Sequence, residues 1–153
     1  MENSLRLTAR SATDADVPRL ARINRELIEY EWDGVSKDVT HLENRLRRWI
    51  SDPEYSATVF ERDGEFAAYA LVHVYPDEAY IRHFYVNPAM RGSGVGKFAC
   101  DFVLSAVVPP GVRVSLDVLV KNATGVRFWR AMGFREYSIV MERYAASAIN
   151  KAA

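Results

Sequence analysis

The sequence predicts an α/β (α+β) chain in which one mixed sheet carries a helix on each side. Three observations predict it. Hydrophobic spacing is helical up to residue 50 and alternating from residue 57. Asp63-Gly64 joins two apolar runs as a two-residue hairpin. Beyond residue 87, helix-like and strand-like runs take turns.

Taken in order, Leu5 to Ala9 reads as a strand, followed by a helix whose apolar face is Val17, Leu20, Ile23, Leu27 and Ile28. Thr13 with Asp16 three residues on has the form of a capping box. "EYEWDGVSKD" is a loop around Gly34, and a second helix is expected from Lys37 to Ile50 on Leu42, Leu46, Trp49 and Ile50. "SDPEYS" ends it. Residues 57–75 form two strands around Asp63-Gly64, and "EAYIRHFYV" is a third, stopped by Asn87-Pro88. A helix is expected from near Val95 to about Val107, broken by "PPG" at 109–111. "VRVSLDVLV" is a strand, "NATGVRFWRAMG" a helix closed by Gly133, and "FREYSIVMERY" a final strand. The tail from about residue 145 to 153 should fray.

Composition narrows the class. The 153 residues suit a single domain, and 49% hydrophobic with 26% charged residues is ordinary for a globular protein. Twenty basic residues balance twenty acidic ones, so the basic bias of a nucleic-acid binder is missing. The lone Cys100 precludes an internal disulfide and reads as a core thiol. No apolar run approaches a membrane span and no signal peptide stands at the N-terminus, so a cytoplasmic protein is expected, with no membrane partner. His41 and His73 share no ligand spacing with each other or with Cys100, and no metal is expected.

The densest feature is "MRGSGVGKF", with Gly92, Gly94 and Gly96 at alternate positions. A Walker A loop fails, because Phe98 stands where Ser or Thr would hold magnesium and Arg91 where the first glycine belongs. Gly94, Gly96 and Ala99 fit a relaxed dinucleotide fingerprint, with Asp117 about twenty residues on, but too little chain follows for the further βαβ units. Glycines that merely permit tight packing explain the pattern as well. The physical reading is a strand ending at Val86, a glycine turn and a helix start. Unpaired N–H groups there face outward at the positive end of the helix dipole and can cradle a pyrophosphate.

Arg91-Gly92-Ser93-Gly94-Val95-Gly96 resembles motif A, [QR]-x-x-G-x-[GA], of the GNAT superfamily of N-acetyltransferases. "SLDVLVKNATGVRFWRAMGF" resembles its motif B, and "LRLTARSATDADVPRL" its opening strand and helix. The resemblance spans nearly the whole chain. It implies a mostly antiparallel mixed sheet of six to seven strands flanked by about four helices, one N-acetyltransferase domain over 1–153, acetyl-CoA as acyl donor and a primary amine as acceptor. The backbone of Val86 would receive the acetyl carbonyl and pantetheine. Arg91, Gly92, Ser93, Gly94, Val95, Gly96 and Lys97 would hold the pyrophosphate, and Asn122 and Phe128 would flank the pantetheine. Asn122 also reads as a plain helix cap.

Amine acetylation needs a base to deprotonate the ammonium and an acid for the departing thiolate. Many family members place a tyrosine acid where this chain has Trp129, whose indole does not ionise. Tyr137 or a water is the expected substitute, or the thiolate leaves unassisted. Asp117, five residues before Asn122, and His83, on the strand leading to Val86, are the base candidates. Strand alternation would set Arg82 and His83 on opposite faces, leaving at most one in the cleft. For the acceptor, Glu26, Glu29, Glu31 and Asp33 surround Tyr30 and Trp32. Glu29, Tyr30 and Trp32 are the expected contacts for a small cationic or amino-acid-like amine. Two rival readings stand beside this one: a non-catalytic acetyl-CoA-binding regulator with a degenerate site, and an acetyltransferase of protein or peptide amines. An exposed final strand bearing "SIVM" would suit a homodimer.

Overall fold

The computed structural model describes residues 6–31 and 38–146. One five-stranded sheet has the order β1 (Leu7–Ser11), β2 (Tyr55–Arg62), β3 (Glu65–Val74), β4 (Glu78–Val86) and β5 (Arg113–Ser115). The first four strands pair antiparallel and β5 runs parallel to β4, so the sheet is mixed and mostly antiparallel. Helices α1 (Val17–Glu31) and α2 (Val39–Ser51) cover one face, while α3 (Val95–Phe102) and α4 (Ala123–Ala131) lie on the other. A π turn, Val103–Val107, continues α3.

The two cores follow from the strand alternation. Val59, Tyr69 and Leu71 point to α1 and α2, where they bury Val17, Leu20, Ile23, Leu42 and Leu46. Phe60, Ala68, Ala70 and Val72 point the other way, against Val95, Ala99 and Val103. Cys100 is a buried free thiol in α3, its pKa pushed up to about 11 by burial.

Local signals behave as their chemistry dictates. Asp63 and Gly64 take φ of 51° and 83°, the left-handed pair that a twisted two-residue hairpin needs. Asp16 accepts the Thr13 backbone N–H at 2.8 Å and also pairs with Arg10 at 2.8 Å. That guanidinium holds the Asp16 carboxyl below the usual carboxylate range. Asp38 caps α2 by accepting from Thr40 at 3.1 Å. The expected loop from Glu29 begins later, since Glu29, Tyr30 and Glu31 are the last residues of α1, and its residues 32–37, with Leu5 and residues 147–153 of the tail, lie outside the described residues.

The C-terminal third departs from the sequence reading. "VRVSLDVLV" pairs over Arg113–Ser115 only, and residues 134–146 form no strand, so the described sheet has five strands and not six or seven. Tyr137, Ile139, Val140, Met141 and Tyr144 are all strongly exposed. Both runs have β-forming composition, but a strand exists only where an edge receives its backbone, and residues 116–120 leave β4 without acquiring a partner.

Candidate active site

The glycine turn sits at the end of β4. Asn87 caps the short turn Pro88–Met90, accepting from Ala89 at 3.1 Å. Arg91 follows, then Gly92 at φ +76° and Gly94 at φ +88°, and α3 begins at Val95. Among the described residues nothing lies within 4 Å of a Cβ added to Gly92 or Gly94, so they serve the left-handed backbone itself. Gly96 serves packing: its added Cβ would meet the Phe128 ring at 3.1 Å and Val86 at 3.5 Å. Arg91 Nε donates to the Val86 carbonyl at 3.1 Å, and Arg62 donates to the Ser93 hydroxyl at 3.0 Å, while that hydroxyl donates to the Met90 carbonyl. Lys97 is exposed and bonds Asp101 at 2.6 Å. Amides at a helix start, with no Cβ at Gly92, Gly94 and Gly96 and with Arg62, Arg91 and Lys97 on the flanking positions, fit a polyanion such as a coenzyme pyrophosphate.

A wedge opens next to this turn. β5 pairs with β4 as far as Ser115 with Tyr80, then parts from it. The second half of β4 therefore has no strand on that side among the described residues. At the vertex, Tyr80 donates to Asp117 Oδ2 at 2.6 Å. Burial first, and then the adjacent Asp117, push the Tyr80 pKa up to about 12. Glu31, at the end of α1, is held above the usual carboxylate range by burial and by the charge of Asp117, with Lys121 opposing. Lys121 Nζ donates to the Tyr30 carbonyl at 2.9 Å and sits 5.0 Å from the Tyr30 ring centre, tying α1 to the segment after β5. Six residues of strand, roughly 20 Å, separate Tyr80 from Val86. Val86 thus stands at the glycine mouth and Asp117 at the vertex.

A β-bulge overturns the expected separation of Arg82 and His83. Leu71 pairs with His83 and Val72 with Ile81, so Arg82 is the extra residue on β4. Both side chains consequently reach Trp49 of α2: the Arg82 guanidinium carbon lies 5.3 Å from the indole centre, and the His83 ring packs edge-on at 5.4 Å. Among the described residues, His83 Nδ1 is buried without a hydrogen-bond partner. Burial, then Arg45 and Arg82, push the His83 pKa down to about 3, so the imidazole is neutral.

The remaining candidates are scattered. Asn122 Oδ1 accepts from Gly125 N–H at 2.9 Å and caps α4. Phe128 and Trp129 pack with Phe84, Trp129 also meeting Phe134 with ring centres 5.2 Å apart. Tyr137 is 78% exposed under Arg113, near the first residues of β4 and far along the strand from Val86. Glu29 pairs with Arg25 at 3.5 Å on the helix surface, and Trp32 lies outside the described residues. Among the described residues no group of three or more His, Cys, Asp or Glu could hold a metal, and no helix is long and apolar enough to cross a membrane. Two shallow hollows of about 480 Å³ lie elsewhere; neither is lined by the glycine turn or Asp117, so concavity alone does not locate the site.

Sequence reasoning missed Arg62, Tyr80 and the Arg45–Arg82 pair. Arg62 carried a usable signal, since it precedes a hairpin whose partner strand leads toward the glycine turn. The others carried none, because a bulge and a helix packing decide where they point.

The sequence model of the Acetyltransferase (GNAT) family matches residues 22–134. The [ribosomal protein bS18]-alanine N-acetyltransferase of Escherichia coli K12 is 24% identical over 138 residues, covering 90% of this chain and 86% of that one. The structure of a mutant of the BH1408 protein of Bacillus halodurans superimposes with a TM-score of 0.74 at 23% identity, over 91% of this chain and 99% of the other. A predicted acetyltransferase of Clostridium acetobutylicum, solved with acetyl-CoA, has a TM-score of 0.68 at 17% identity, over 91% and 96% of the two chains.

Proposed function

The chain belongs to the GNAT acetyltransferase family and is an acyltransferase, and on that premise we propose that it moves the acetyl group of acetyl-CoA directly onto a primary amine of a small acceptor. The observation that carries this reading is the run from β4 through the left-handed Gly92 and Gly94 into α3, which opens beside the wedge. The amides from Arg91 to Gly96 hold the pyrophosphate, with Arg62, Arg91 and Lys97 as surrounding cations. Val86 and the β4 backbone left unpaired by β5 bind the extended arm, between Phe128 and Asn122. Bound acetyl-CoA supplies an activated thioester.

The amine enters at the vertex. Asp117 accepts its proton, directly or through water, because an ammonium has no lone pair to attack with. Tyr80 keeps Asp117 oriented, and Glu31 adds negative charge that draws the cation in. The neutral His83 is better suited to line the site than to take a proton at neutral pH. β4 N–H groups donate to the carbonyl oxygen as it gains charge. Tyr137, exposed at the far end of β4, is not assigned the acid role; the departing thiolate takes up, through water, the second proton that the attacking nitrogen loses as the C–S bond breaks.

Acetylation of a protein amine is a second reading, favoured by the activity named for the bS18-alanine relatives. Release of CoA thiol is the test, with acetyl-CoA, a panel of small amines and a set of peptides. Release with small amines supports the proposal, and release with peptides alone moves the substrate to protein. Acetyl-CoA binding without any release would leave a coenzyme-binding regulator.

A further inference from the structure

On the α1–α2 side of the wedge, two guanidiniums lie against one indole. The Cζ atoms of Arg45, from α2, and Arg82, from the β4 bulge, lie 4.7 and 5.3 Å from the centre of the Trp49 ring. Neither forms an ion pair among the described residues, and Arg82 Nη2 donates to the Tyr55 hydroxyl at 3.4 Å. Burial and the charge of Arg82 lower the Arg45 pKa, as expected for cations gathered without a counter-charge.

The floor beneath them is also unsatisfied. Among the described residues, Arg45 Nε, the Tyr69 hydroxyl and His83 Nδ1 are buried without a hydrogen-bond partner, and Tyr69 is 0% exposed. Buried polar atoms left unpaired are uncommon and costly, and several together call for a shared partner. Forked N–H donors beside a hydroxyl match a carboxylate. On the other side lies the opposite charge. The Arg82 guanidinium is 5.7 Å from the Tyr80 ring centre, and the hydroxyl of that same ring meets Asp117, with Glu31 close by. One tyrosine therefore divides a cationic pair from an anionic pair.

We propose that Arg45 and Arg82 bind the carboxylate of an acceptor whose primary amine is held at Asp117 and Glu31, so that the substrate is an amino-acid-like zwitterion. This rests on the acetyltransferase reading of the wedge. A diamine would set its second cation against the two guanidiniums and be rejected.

The test compares ω-amino acids, their amides and diamines of matched chain length, with acetyl-CoA binding measured separately. The amino acids should exceed the amides by about tenfold in kcat/KM, one charge-assisted hydrogen bond's worth, with diamines lowest. Arg45→Gln and Arg82→Gln should erase that preference with acetyl-CoA affinity unchanged, and the Lys variants should keep part of it. Equal use of acids and amides, or a preference surviving in both Gln variants, would overturn the inference. If no amine is acetylated although acetyl-CoA binds, the transfer reading fails by itself. The anion site is then read from Tm: an increase with the amino acids but not the amides, lost in the Gln variants, supports it, and no difference in wild type overturns it. Retained acetyl-CoA binding shows that a variant is folded; should the Gln variants not fold, the Lys variants carry the comparison, with full wild-type preference counting against the site.

Discussion

The glycine turn is made of six consecutive residues, Arg91 to Gly96, and works through backbone dihedrals and amides, whereas the wedge gathers Glu31, Arg45, Tyr80, Arg82 and Asp117 from α1, α2, β4 and the segment after β5. The first site needs only that a strand stop and a helix start in the right order. The second needs a bulge, a helix packing and a strand that leaves its neighbour. Substitutions in the two should therefore separate coenzyme binding from turnover, and each variant below can break that division.

The largest effect is expected at Asp117. Asp117→Asn should lower kcat by about 10²- to 10⁴-fold, the usual contribution of a positioned base, with acetyl-CoA affinity unchanged. A change of less than about threefold in stopped-time CoA release would remove Asp117 from the base role. His83 should contribute next, through stability. Its folded pKa of about 3 lies below the unfolded 6.5, so the unfolded chain takes up the proton first as pH falls. The stabilisation is complete above about pH 6.5 and lost on acidification, by about 2 kcal/mol between neutral pH and about pH 5. His83→Phe should flatten that part of the urea-denaturation profile against pH; an unchanged slope would show that the ring is not held neutral.

In the glycine turn, Gly94→Val forces a β-branched residue to φ +88°. Since nothing lies within 4 Å of the new Cβ, the loss is backbone strain of about 1–3 kcal/mol and not a clash. Acetyl-CoA affinity by calorimetry should fall about 10- to 100-fold, with kcat at saturation nearly kept. An intact affinity would take the coenzyme away from this turn. Tyr80→Phe should be mildest, removing one hydrogen bond to Asp117 and lowering kcat by about three- to tenfold with the acetyl-CoA KM unmoved. Were KM for acetyl-CoA to rise instead, the wedge and the glycine turn would not be separable.

Much of this was legible in residue order. The amphipathic stripes of α1 and α2, the Asp63-Gly64 hairpin, the capping pair Thr13–Asp16 and the Asn122 cap each depend on neighbours within a few positions. The spacing of the strand, the glycines and the later "NATGVRFW" was likewise visible, because backbone chemistry imposes it locally. Asp117 and Glu31 could be named as carboxylates of interest, but nothing in the sequence set them beside each other or beside Tyr80. Alternation misplaced Arg82, since a bulge of one residue turns a side chain to the opposite face. Composition also overcounted the strands: Arg113–Ser115 is all of β5, and Phe134 to Tyr144 forms no strand.

By itself the sequence determined the order of elements, the two-sided core and a turn built to present bare amides, because propensity, periodicity and glycine geometry act over a handful of residues. Only the tertiary structure decided where β5 would part from β4, which way the bulge would aim Arg82 and His83, and that two guanidiniums would share one indole. Those outcomes depend on which surfaces meet, and residues as far apart as Glu31 and Asp117 acquire a common chemistry only when packing brings them together.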